Sequence, residues 1–149
     1  MRPLLLALAV AAAAVGPAAE AADNAAIARV VRQAGLMGRW SGDCRRAVSP
    51  GNPWITVAVG KDGRVTTAEN NGQYNSVYRL SAARILRNGD LATRSTWDGD
   101  GIEHEIVYRF RGGRQQVWSS VKVNGRKLVV DGVITGNGMP SRWWTRCGK

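Results

Sequence analysis

Histidine and phenylalanine occur once each in this chain, cysteine twice, and acidic residues only 11 times in 149. One imidazole and two distant thiols make a poor four-ligand zinc site. No G-x-S-x-G elbow, H-E-x-x-H helix or glycine-rich phosphate loop is present, so hydrolytic and nucleotide chemistry lack their usual carriers. No apolar run reaches the ~20 residues that span a bilayer. After Gly35 nothing repeats with the helical period, which excludes the crossover helices of a parallel sheet. Asp98-Gly99-Asp100-Gly101 before Glu103 has the letters of a calcium loop without its bidentate glutamate at position 12, and a hairpin turn accounts for them. No catalytic residue, cofactor or metal ligand is assigned, and the chain reads as non-enzymatic.

What is present begins with a leader. Met1-Arg2 carries a charge, Pro3 to Val15 is an almost unbroken Leu/Ala/Val run, and Gly16-Pro17 interrupts it before Ala19-Glu20-Ala21. That order is the layout of a secretory signal peptide, 1–21, with cleavage expected near Ala21. The chain is therefore expected to be periplasmic or secreted and, once processed, not membrane-spanning. In an oxidising compartment two cysteines normally pair, and a Cys44–Cys147 bond would tie the ends of the mature domain together. Lys and Arg number 21, giving a net charge of +10 that attracts polyanions. For an exported protein these are lipopolysaccharide, anionic phospholipid or acidic polysaccharide rather than nucleic acid.

Residues 22–37 read as one short helix and a lead-in. Asp23 or Asn24 suits the N-cap, Ile27, Val30, Val31 and Ala34 form an apolar stripe, and Gly35 suits the C′ position. From Gly38 the period changes to two. Strands are predicted at 54–59, 64–69, 74–82, 91–97, 102–110, 115–123, 127–135 and 142–147, after a first strand opening at Gly38. Lys61-Asp62-Gly63, Asn71-Gly72, Asn88-Gly89, Asp98-Gly99, Gly112-Gly113 and Asn124-Gly125 separate them, all tight-hairpin signals. The fold class is thus all-β: an antiparallel meander of about eight or nine strands over 38–149. Closing it into a small barrel removes the unpaired sheet edges.

Gly38-Arg39-Trp40, at the head of the first strand, resembles the G-x-W that opens the calycin-type barrels, the lipocalins and avidins. The resemblance implies a tryptophan closing one barrel end with a late arginine packed across its ring; Arg142 and Arg146 are the candidates. The longer run to Gly42 and Cys44, with a cysteine near the C-terminus, is similar to small exported proteins of proteobacteria. That likeness implies a fold and no activity.

Candidate binding residues follow from alternation. Ile102, His104, Ile106, Tyr108 and Phe110 share a face, while Glu103 and Glu105 point the other way, so His104 cannot join them on one metal or proton. Tyr74, Tyr78, Trp97, His104, Ile106, Tyr108 and Phe110 are the expected pocket lining, for a small apolar or anionic ligand. Trp118 alternates with Gln116, Ser120 and Lys122 on the face expected to point outward. One of Trp143 and Trp144 must also face outward, and Trp144 is taken for it. With Arg109, Arg111 and Arg114 these rings suit a surface that docks an anionic envelope component or another exported protein. Two functions are therefore expected as alternatives: a ligand-binding barrel, or a surface interaction module.

Overall fold

The computed structural model describes residues 17–148, with side chains from Asp23 onward. The leader read at 1–21 lies outside them apart from its last few positions. Helix α1 spans Pro17–Gln33, starting ahead of the predicted Asp23. The alanine-rich stretch ahead of Asp23 accounts for helix before that residue, since alanine favours helix formation. The helix stops as predicted. Gly35 takes φ +81°, its amide bonds back to the Arg32 carbonyl at 3.0 Å, and the Leu36 amide bonds to Val31 at 3.1 Å. Leu36 and Val31 are both completely buried, which completes a Schellman cap with its hydrophobic contact.

Ten strands follow: β1 Gly38–Ser41, β2 Trp54–Val59, β3 Val65–Asn70, β4 Asn75–Ile85 and β5 Leu91–Trp97, then β6 Glu103–Arg111, β7 Arg114–Lys122, β8 Lys127–Val130, β9 Val133–Ile134 and β10 Trp143–Cys147. Eight close into an antiparallel barrel, in the order β1 to β7 and then β10, which pairs with both β7 and β1. The remaining two, β8 and β9, form a hairpin that extends from the far half of β7. The predicted strand 127–135 is therefore two strands. Asp131 at φ 50° and Gly132 at φ 76° make the two-residue turn between them, the same Asp-Gly chemistry that marks other joints.

The ends lock as expected. Arg39 stands opposite Cys147, and Cys44 is bonded to Cys147 with Cα atoms 5.3 Å apart across 103 positions. Linking a loop of that length stabilises by about 4–5 kcal/mol in the chain-entropy account. Trp40 is buried, donates its indole N–H to the Leu36 carbonyl at 2.8 Å, and carries the Arg146 guanidinium over its ring at 5.4 Å. Of the two arginines considered for that place, Arg146 occupies it. Arg142 lies over Trp144 instead, at 5.5 Å.

Two bulges alter which side chains face in. One lies at Ser81, between the paired positions Leu80 and Ala82. The other lies at Trp118, where Val107 and Tyr108 of β6 meet Ser119 and Val117 and leave Trp118 without an opposite number. An extra residue swaps the faces of everything beyond it. Ser120 and Lys122 consequently face the interior and Val123 is 60% exposed, the reverse of the sequence expectation.

The interior is divided. Toward one end, Trp40, Val57, Val65, Leu80 and Leu91 form a dry core with Ile27, Val31 and Leu36. The helix packs chiefly on β4 and, near its start, on β3. Toward the other end the inward side chains are polar.

Candidate functional site

The polar half is built by two cross-strand rows. Thr67, Tyr78 and Trp97 lie opposite one another on β3, β4 and β5. Leu80, Ser95, His104 and Lys122 form the next row, across β4 to β7. Alternation alone would send Glu69 inward beside Ile55, its partner on β2. Tyr78 and Trp97 stack with ring centres 6.3 Å apart at 22°, and His104 meets Tyr78 edge-on at 5.7 Å and 84°. Lys122 reaches over Trp97 at 6.0 Å and donates to Asp100 at 2.5 Å. A Cβ added at Gly99 would overlap the Trp97 ring, so the turn after β5 is shaped to hold that indole in place.

Electrostatics set the protonation of this cluster. Burial, reinforced by the Lys122 cation, pulls His104 below the usual imidazole range, with Asp100 opposing. His104 is therefore neutral at pH 7. Burial raises Tyr78, and the Glu69 and Asp100 charges add to it; burial raises Tyr108 more strongly, so both phenols keep their protons. Glu69 is raised by burial, with Arg142 opposing.

Three buried polar atoms here have no protein partner: His104 Nε2 and Ser95 Oγ, neighbours across β5 and β6, and Thr67 Oγ1 on β3. His104 is only 2% exposed. A buried polar group without a partner costs about 1–3 kcal/mol, so the adjacent His104 and Ser95 atoms leave hydrogen-bonding capacity unused at a cost to stability. A fourth such atom, Gln115 Oε1, lies on β7 opposite Phe110 and Trp144, toward the helix-capped end.

The structure sorts the expected lining residues. It brings Tyr78, Trp97 and His104 together and sets Tyr108 deeper, fully enclosed. Ile106 belongs to the dry core, and Phe110 packs against that core near the helix end. Tyr74 lies just ahead of β4 in the turn after β3 and is 56% exposed, so it lines no interior. Sequence reasoning missed Glu69, Ser95 and Lys122. The first two were signalled by alternation with Val65 and Leu91; Lys122 was hidden by the bulge at Trp118.

The expected surface residues also separate. Trp144 is in the core, because it lies opposite inward-facing Gln115, and Trp143 is the outward ring, under Arg114 at 5.5 Å. Trp118 points outward but is covered by Gly132 and by Arg109, which lies flat on it at 3.5 Å. Arg109 also holds Asp90 through Nε and Nη2 at 3.2 and 3.1 Å. With Arg109 only 19% and Asp90 8% exposed, this is an internal clamp rather than a docking patch. Arg111 and Arg114 remain exposed. Asp98, Asp100 and Glu103 turn to different partners, Arg79, Lys122 and Arg94, and do not converge on a cation site.

No protein-family model, curated protein or solved structure matches this chain. Its function must be argued from the site. All six tryptophans carry an arginine or lysine over the ring, so the aromatic surface is anchored throughout rather than loosely exposed.

Proposed function

We propose that the chain is an exported, non-enzymatic binding barrel that takes a small ligand into its polar mouth, between Tyr78, Trp97, His104 and Ser95. The observation that carries this reading is the adjacent pair of buried, unpartnered atoms, His104 Nε2 and Ser95 Oγ. Beside them stand the aromatic pair and a protonated Tyr78 hydroxyl. Such a site combines apolar contact with a few orienting hydrogen bonds. Its cations already have counter-charges, Lys122 on Asp100 and Arg142 acting on Glu69. That matching supports a neutral ligand with a flat apolar face and hydrogen-bonding groups over an anionic one. Export is supported by the charged, apolar and small-residue order of the leader and by the disulfide.

Ligand-observed NMR with a fragment set tests the proposal, comparing aromatic amides with alkyl carboxylates. Aromatic amides are expected to bind, and binding is expected to fall at least about tenfold in His104→Leu, the loss of one well-made hydrogen bond in a desolvated site. Preference for the carboxylates, or binding that ignores both His104→Leu and Ser95→Ala, would overturn it.

A further inference from the structure

The positive charge is concentrated at one end of the barrel. Strands alternate in direction, so every strand terminus and turn belongs either to the helix-capped end or to the mouth. Arg39, Arg84, Arg87, Arg111, Arg114 and Arg146 stand at or beside the helix-capped end, and α1 adds Arg29 and Arg32. All are exposed, and none of them meets a carboxylate among the described residues. The acids there are few: Asp23, Asp62 beside Arg64 at 4.0 Å, and Asp90 held by Arg109. The mouth is closer to balance: Arg46, Arg126, Lys127 and Arg142 make no ion pair there among the described residues, but its other cations do. Arg79 meets Asp98, Arg94 meets Glu103 at 3.3 Å and Glu105 at 2.7 Å, Lys122 meets Asp100, and Arg45 meets Asp43 at 3.5 Å.

Two details distinguish this end from a merely solvated rim. Arg111 and Arg114 are direct cross-strand partners around Gly112-Gly113, an arrangement that repels, and no acid offsets it. Arg39 lies over Trp54 at 4.6 Å and Arg114 over Trp143; the rings are half-buried on the outer wall at the first residues of β2 and β10, so both arginines lie on the helix-capped side of them. Stacking holds those guanidinium groups in place with their N–H edges directed away from the ring.

We propose that the helix-capped end docks on the phosphate groups of an anionic lipid bilayer and leaves the mouth facing away from it. The cations are spread over a helix, two hairpin turns and a stretch of wall, too wide for one small anion and suited to an extended array of phosphates. Guanidinium forks match phosphate oxygens. Among the described residues no helix is long and apolar enough to cross a membrane. This proposal does not depend on what the mouth binds.

Vesicle sedimentation tests it, with mixed phosphatidylglycerol–phosphatidylcholine vesicles against pure phosphatidylcholine. Each cation at an anionic surface is worth about fivefold in partitioning, so Arg111→Gln with Arg114→Gln is expected to weaken binding about 25-fold. Binding of the unaltered protein is expected to disappear at about 0.5 M salt. Arg126→Gln with Lys127→Gln removes the same charge from the β7–β8 turn on the mouth side and is expected to cost less than about twofold. Both pairs are exposed, and thermal melting checks that each variant is folded. Equal binding to pure phosphatidylcholine, indifference to salt, or equal losses in the two double variants would overturn the proposal.

Discussion

The two halves of the barrel interior are made by the same strands and obey different physics. At the helix-capped end, Leu36, Val31, Val65 and Leu91 are essentially without exposure, and a single polar atom, Gln115 Oε1, is stranded at that end among the described residues. At the mouth, a histidine, a serine and charged side chains replace the aliphatic ones, and hydrogen-bonding capacity is left unused. Burying Val and Leu side chains is worth about 1.5–3 kcal/mol each, whereas the stranded groups cost free energy. Stability resides mainly at one end; most of the unsatisfied chemistry sits at the other.

The largest expected effect falls on both halves at once. Opening the Cys44–Cys147 bond, by reduction or by Cys147→Ser, is expected to lower unfolding free energy by about 4 kcal/mol, read as a shift of the urea midpoint. Leu36→Ala separates the halves: it removes the hydrophobic contact of the helix cap and is expected to cost about 3 kcal/mol. Asp90→Ala strips the carboxylate from Arg109 and is expected to cost about 2 kcal/mol, reduced from the fully buried case because the guanidinium keeps some solvent. A loss below about 0.5 kcal/mol would show the clamp to be ornamental.

His104→Phe sharpens the contrast in the opposite direction. It replaces a stranded polar group by an apolar ring of similar size and is expected to leave stability at pH 7 unchanged or raised by about 1 kcal/mol, while abolishing ligand binding. Acid provides a second readout. His104 resists protonation in the fold, whereas the unfolded chain takes up that proton near pH 6.5. Stability therefore falls as pH drops from about 6.5 toward the lowered native value, and this part of the fall is expected to vanish in His104→Phe. Glu69, raised by burial, works the other way, because its fold-stabilising protonation is lost as pH rises above the ordinary carboxylate range. The smallest effect is expected for Arg146→Ala, about 0.5 kcal/mol, since the arginine that covers Trp40 is itself exposed.

How much of this was legible in the sequence depends on what kind of signal each feature leaves. Strands β2 and β5 match their predicted limits residue for residue, because alternation and Gly-containing turns define both ends. The Asp131-Gly132 turn used the same code, but Leu128-Val129-Val130 before it and Val133-Ile134 after it read as one apolar run. Bulges leave no compositional mark, so the one at Trp118 reversed the faces assigned to Ser120, Lys122 and Val123. A Trp-Trp pair shows that one ring is buried without showing which; the register against Gln115 decides for Trp144. Of the site, the aromatic and histidine part was readable by alternation. Glu69 lies on the inward alternation of Val65, but a charge pointing into a barrel contradicts the rule by which interior positions are recognised, and Lys122 was hidden by the bulge at Trp118.

The seam between β1 and β10 has a kinetic consequence. Most of the other pairings join strands that are neighbours along the chain, and each can form as a hairpin without waiting for the rest. The seam brings together residues more than a hundred positions apart and pays its loop-closure entropy in one step. A chain whose thiols are already joined begins with that search largely completed, so oxidised protein should refold faster than reduced protein, mainly in the step that makes a sheet into a ring.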